Sequence, residues 1–258
     1  MSKLIKLFER ATETTSQPMG FRANRNNQAA PKLVLVAEAQ DTIIPETFEA
    51  ADAVVIMPGK TKLNGNYFQS INADLSEKAW GVADGTMRAG AKPPDGCDFI
   101  VFSALSPVAS LPEDETTGKI LQLESSMDDG LIRAVNDLPV DAVVIADSLE
   151  DGPTVTLHRL MILRHVTHLV SVPVIVPVIA GVTAAELKAL REAGVDGVLL
   201  NAADTAAGKA KDIKKLIDAL PARPSRKKTK TEALLPRGSA YREPEPEAPD
   251  KDDDDDWE

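Results

Sequence analysis

Val172-Pro-Val-Ile-Val-Pro-Val-Ile179, then Ala180-Gly-Val-Thr183, then Ala184-Ala-Glu-Leu-Lys-Ala-Leu-Arg-Glu-Ala-Gly194, then Val195-Asp-Gly-Val-Leu-Leu-Asn201 is the stretch that declares the fold. The first piece is a short β-branched run with no polar face, the pattern of a strand buried on both sides. Thr183 offers an N-cap hydroxyl, with Glu186 three positions on as its capping-box partner. Leu187, Leu190 and Arg191 follow at helical spacing, and Gly194 suits a left-handed C-cap. A second apolar strand begins two residues later, which makes the stretch a βαβ unit.

Working outward, six further segments join its two to complete a set of eight strands: Lys32–Glu38, Ala53–Met57, Trp80–Asp84, Asp98–Ser103, Ile120–Glu124, Ala142–Asp147, Val174–Ile179 and Gly197–Asn201. Between them the spacing predicts helices over Asp128–Leu138, Thr154–Val170 and Ala206–Leu220. The buried side of the first is assigned to Leu131, Ile132 and Val135, and that of the second to Leu157, Leu160, Met161, Leu163 and Leu169. Gly59–Glu77 reads as a long loop with one helical turn, and Ala104–Thr117 as an irregular connection. Residues Leu4–Thr12 form an amphipathic helix with Leu4, Ile5, Leu7 and Phe8 on one side.

Ala51-Asp-Ala-Val-Val-Ile56, Cys97-Asp-Phe-Ile-Val-Phe102, Val140-Asp-Ala-Val-Val-Ile145 and Val195-Asp-Gly-Val-Leu-Leu200 share one pattern, at spacings of 46, 43 and 55 residues. They fall on strands 2, 4, 6 and 8. A period of two βα units is expected of a barrel assembled from quarters, and an open sheet has no reason to show it. The expected fold is therefore α/β, a single (β/α)8 barrel with shortened or irregular helices in its first half. The domain reading is 1–29 helix and loop, 30–222 barrel, and 223–258 a disordered tail, basic and then acidic.

Composition agrees. Hydrophobic residues make up 43% and aromatics 4%, so the core is aliphatic. The single cysteine, Cys97, cannot form an internal disulfide and is expected to be a small buried hydrophobe. The N-terminus has no signal-peptide pattern, and Leu169–Val182 is too short to span a bilayer, so a cytoplasmic protein with no membrane partner is expected. A net charge of −11 argues against nucleic acid as a partner. From Arg223 onward stand eight basic and eleven acidic residues, with Asp252–Asp256 followed by Trp257. Such a segment buries too little apolar surface to fold, and its acidic end suits a basic protein partner.

The Gly194-Val-Asp-Gly-Val-Leu-Leu200 and Gly96-Cys-Asp-Phe-Ile-Val101 turns resemble those of aldolase-type TIM barrels, over roughly residues 30 to 220. The resemblance implies that Asp52, Asp98, Asp141 and Asp196 lie on the stability face. Active sites of such barrels lie at the C-terminal strand ends. Those ends carry Glu38, Lys60, Asp84, Ser103, Glu124, Asp147 and Asn201, with Arg88 in a loop beyond. Four carboxylates at one mouth would repel unless protonated, paired with Lys60 or Arg88, or bound to a cation such as Mg2+ or Mn2+.

Glu124 and Asp147 end adjacent strands and are the expected metal ligands, an arrangement similar to metal-dependent aldolases and lyases that bind phosphoenolpyruvate. The resemblance implies that such a metal polarises an α-oxo acid. Glu38 or Asp84 then serves as general base, and Lys60 or Arg88 holds the substrate anion. The sequence departs from that family in having no arginine within a strand. A phosphate site is the second option, with Gly181 and Thr183 after strand 7 as its amide donors, although Asp204 after strand 8 would repel a phosphate. The third is a non-catalytic barrel serving as a binding or scaffold module through its tail. Oligomeric state is not legible.

Overall fold

The structure is a computed structural model, and it describes residues 2–12, 33–40, 48–57, 65–75, 77–83, 92–114, 116–146, 155–206 and 208–221. Eight strands run Val34–Ala39 (β1), Ala53–Ile56 (β2), Ala79–Ala83 (β3), Phe99–Ser103 (β4), Gly118–Leu123 (β5), Ala142–Ile145 (β6), Val174–Val178 (β7) and Gly197–Leu200 (β8). All neighbours are parallel, and β1 closes on β8 with Val34 opposite Gly197 and Ala37 opposite Leu200. The sheet is a closed barrel in sequence order.

Helices lie at Lys3–Thr12 (α1), Gly65–Asp74 (α2), Asp129–Ala134 (α3), Leu157–Leu169 (α4), Ala184–Glu192 (α5), Ala202–Ala206 (α6) and Ala210–Ala219 (α7). The compact unit spans Met1–Pro224. The acidic run and the partner expected for it belong to residues outside those described.

Strand side chains alternate between two cores. The outward set, among them Leu35, Val54, Val82, Leu121, Val143, Val176 and Val198, packs under the helices. The inward set, among them Val36, Val55, Phe99, Ile120, Val144 and Ile175, fills the barrel. At the N-terminal end several strands begin with a small inward residue: Ala53, Ala79, Gly118, Ala142 and Gly197. That leaves a hole where barrels normally carry bulky branched side chains.

Helix α1 fills it. Leu4 and Phe8 are fully buried in the inner core. A Cβ on Gly197 would stand 3.0 Å from the Phe8 ring, and one on Gly118 would stand 3.0 Å from the Ser2 hydroxyl. The glycines therefore make room for the plug, and the N-terminal helix is part of the barrel's own core.

The four Asp turns hold this end together. The backbone N–H groups of Asp52, Asp98, Asp141 and Asp196 donate to the carbonyls of Leu35, Trp80, Lys119 and Val174, the second residue of β1, β3 and β5 and the first of β7, at 2.8–2.9 Å. Three of the carboxylates return the bond: Asp52 accepts from Leu35 N at 2.9 Å, Asp141 from Lys119 N at 2.8 Å and Asp196 from Val174 N at 3.2 Å. Asp98 instead accepts from Ser2 Oγ at 2.7 Å, Lys3 N at 2.6 Å and Leu4 N at 2.9 Å. One member of a quasi-fourfold set is diverted to cap the plug helix.

Three expectations need correcting. Gly65–Asp74 is a helix of nearly three turns, held by Ile71 and the following Leu75 in the core and by Phe68 stacked on Trp80 at 6.4 Å. Polar composition hid it. On α4 the inner stripe is Leu160, Leu163, Val166 and Leu169, at three-residue spacing, with Leu163 and Val166 buried and the two ends partly so. Met161, about 100° around the helix from Leu160, is 71% exposed, as Leu157 is at 80% and Leu131 on α3 at 58%. Lastly, the terminal helix expected over Ala206–Leu220 starts only at Ala210, and a short helix not expected, α6, precedes it, the two separated where Gly208 takes φ +72°.

Candidate active site

A cavity of about 170 Å³ opens inside the barrel at the C-terminal strand ends. Its walls are apolar, with Met57, Val101, Ala146, Pro177 and Leu199 around the rim. Two polar side chains enter among the described lining residues, Glu38 from β1 and Gln122 from β5. Alternation puts them there: Glu38 follows inward Val34 and Val36, and Gln122 follows inward Ile120.

Glu38 is half-buried. Loss of solvation by the apolar wall raises its carboxyl above the ordinary 4.5, and a hydrogen bond from Ala202 N–H at 3.2 Å opposes part of that rise. The carboxyl therefore stays within reach of its neutral form at a higher pH than an exposed glutamate.

Beside it, the loops after β7 and β8 are tied by Asp204. Its Oδ2 accepts from Ala180 N–H at 2.9 Å and from Asn201 Nδ2 at 3.0 Å, while Asn201 Oδ1 accepts from Asp204 N–H at 2.8 Å. Thr183 caps α5 in a full capping box with Glu186, as its sequence proposes. The other oxygen of Glu186 accepts from Val155 N–H at 2.8 Å, linking that helix start to the chain entering α4. Thr183 is thus engaged with its own helix, and Gly181 stands in the turn before it.

Of the remaining strand-end residues, Glu124 is exposed just beyond β5, where its carbonyl accepts from Met127 N–H at 3.2 Å. Ser103 is absorbed in a local turn, accepting from Leu105 N–H at 3.2 Å. Lys60, Asp84, Arg88 and Asp147 lie outside the described residues. Among the described residues no group of three His, Cys, Asp or Glu side chains could hold a metal ion. Glu124 supplies one donor, too few by itself to fix a cation.

Two residues were missed by reading only the last residue of each strand. Gln122 was recoverable from strand parity. Arg159 was not, because it reaches the rim from α4. The β6–β7 pairing ends at Val144 opposite Ile175, whereas β7–β8 continues to Val178 opposite Leu200. Pro173 O faces β6 and Val174 O faces β8, so by alternation Pro177 O faces the β6 side beyond the end of that pairing. Arg159 Nη2 donates to it at 2.8 Å. A proline is tolerated here because no β6 carbonyl is paired at its missing N–H.

Solved structures share this architecture. Mycobacterium tuberculosis tryptophan synthase superposes with a TM-score of 0.58 at 13% identity, over 86% of this chain and 99% of that one. A mutant tryptophan synthase alpha-subunit from Pyrococcus furiosus gives 0.55 at 16% identity, over 72% and 97%. Thiamine phosphate pyrophosphorylase from the same organism gives 0.51 at 16%, over 73% and 96%. The chain has the fold of the aldolase-type TIM barrels. No protein-family model and no curated protein matches the sequence. The barrel likeness is therefore one of fold, and the chemistry has to be argued from the mouth itself. Among the described residues no helix is long and apolar enough to cross a membrane.

Proposed function

We propose that this barrel is a lyase or aldolase acting on a small oxo-acid, with Glu38 as its general acid–base. The observation that carries the reading is a titratable carboxyl in the apolar cavity, the one such group among its described lining residues, held above its ordinary pKa by burial. Burial of this kind is how a carboxylic acid is brought toward working pH. In the cleavage direction the Glu38 carboxylate takes the proton of a hydroxyl β to the oxo group. The carbon–carbon bond then breaks, its electron pair passing to the oxo-acid fragment as an enolate. Return of the proton from Glu38 to the enolate carbon completes the cycle. Gln122, which lines the same cavity and whose side-chain amide carries two N–H donors, would hold the enolate oxygen.

The resemblance to metal-dependent aldolases implies Mg2+ or Mn2+ on Glu124 and Asp147. Bound there, the cation would polarise the oxo group. No step above is routed through it, since the described donor set stops at Glu124.

The test is proton exchange. Pyruvate, the simplest oxo-acid, is incubated with the protein in heavy water, with and without added magnesium or manganese, and its methyl protons are followed by NMR. Enzyme-dependent loss of the methyl signal is expected, and Glu38→Gln should abolish it without lowering the melting temperature. Exchange that persists in Glu38→Gln, or wild-type protein that exchanges nothing under any of these conditions, would overturn the assignment.

A further inference from the structure

Barrels that take phosphorylated ligands hold the phosphate on backbone N–H groups of the loops after strands 7 and 8 and on a short helix N-terminus. In this chain six of those groups have intramolecular partners. After β7, Ala180 N–H donates to the Asp204 carboxylate at 2.9 Å, Val182 N–H to Ile179 O at 3.1 Å and Thr183 N–H to the Glu186 carboxylate at 2.7 Å. After β8, Ala202 N–H donates to the Glu38 carboxylate at 3.2 Å, Asp204 N–H to Asn201 Oδ1 at 2.8 Å and Thr205 N–H to Asn201 O at 2.9 Å.

We infer that Asp204, together with Glu38, is a built-in substitute for a ligand phosphate, so that the mouth accepts only unphosphorylated substrates. Three observations converge on it. Carboxylate oxygens already sit on an amide from each loop, at the distances an anionic ligand would use. Asp204 is locked in place by the Asn201 side chain, which donates to it at 3.0 Å and accepts from its N–H, so it cannot swing aside cheaply. A phosphate entering here would also approach two carboxyl groups, and like charges at such range repel strongly.

The inference deepens the oxo-acid reading, on which it rests, by fixing the substrate class. The substrate end nearest β7 and β8 carries an uncharged group or an amine, and Asp204 is a specificity-determining residue. It touches the loops that shape the cavity, and no proton transfer is assigned to it.

The experiment titrates inorganic phosphate into the full chain, following the backbone amide resonances of Ala180 and Ala202. In wild type those resonances should stay in place through millimolar phosphate. In the double variant Glu38→Gln, Asp204→Gly they should shift saturably, with phosphate bound at least about tenfold tighter than in wild type. Asp204→Asn, which retains the acceptor but not the charge, should fall between the two. Saturable movement of both amides in wild type would overturn the inference. So would a double variant that melts like wild type yet binds no phosphate. If the double variant does not fold, the wild-type titration and Asp204→Asn decide the matter alone. The readout is independent of turnover: protein that takes phosphate but still exchanges pyruvate protons sinks this inference and spares the Glu38 assignment, and the reverse result does the opposite.

Discussion

Glu38 carries opposite demands on one side chain. It is useful because burial disfavours its charge, and the same burial makes it a liability to the fold whenever it ionises. Its folded-state pKa lies above the ordinary 4.5, so the folded protein holds this proton more tightly than the unfolded chain does. The resulting stabilisation is fully present below pH 4.5 and is lost as pH rises through the higher folded value. Glu38→Gln keeps an acceptor for Ala202 N–H but never ionises. Its melting temperature should exceed that of wild type at neutral and alkaline pH, and the difference should disappear below pH 4.5. A gain independent of pH would show that the carboxyl is not titrating in this window. Cys97 is the contrasting residue. Burial pushes its thiol up to about 12, and its Sγ–H donates to Phe99 O at 3.2 Å. The side chain is only partly buried, so a disulfide-exchange reagent at mildly alkaline pH should react with it slowly, at a rate that climbs with pH as the thiolate fraction grows.

Elements were legible in the sequence to the extent that one apolar pattern was enough to make them. All eight strands lie within two residues of where β-branched runs placed them, because a strand buried on both faces must be apolar throughout. Helix α2 escaped because its stability comes from Phe68 and Ile71 meeting Trp80 across the chain, not from a continuous stripe. Helix α1 was recognisable as amphipathic, but its seat was not. That seat is written as five small residues on five different strands, each unremarkable alone. Of the expected site, Glu38 faces the cavity, while Gln122 and Arg159 show that strand parity and a helix overhang supply polar groups that strand termini do not reveal. The plug itself can be tested. Phe8 is fully buried between Gly197 and the inner core, so Phe8→Ala should cost about 3–5 kcal/mol of stability in a denaturant melt. A loss below about 1 kcal/mol would mean that α1 merely rests on the barrel instead of completing its core.

At the scale of the molecule, the ring is closed by the strand ladder and braced at its N-terminal rim by the Asp turns, which tie alternate pairs of strands. Asp52, Asp141 and Asp196 each clamp the start of one strand to the turn of the next, whereas Asp98 has been moved to the plug. Removing the carboxylate should therefore have different consequences at different quarters of the ring. In Asp141→Ala the Lys119 N–H at the start of β5 loses its side-chain acceptor, which costs about 1–3 kcal/mol. A closed barrel cannot lose one strand without opening its neighbours, so amide hydrogen-exchange protection should fall across β1 to β8 together. In Asp98→Ala the N–H groups of Lys3 and Leu4 lose the Asp98 carboxylate, Leu4 N–H keeping Ser2 Oγ at 3.2 Å, while the backbone bond from Asp98 N–H to Trp80 O remains. Protection should then fall over residues 3–12 first, with the strands nearly unchanged, at a cost nearer the 0.5–2 kcal/mol of a lost helix cap, roughly estimated. Uniform loss of protection in both variants would show that Asp98 serves the strands as its three counterparts do, and the plug would then have to be held by Leu4 and Phe8 alone.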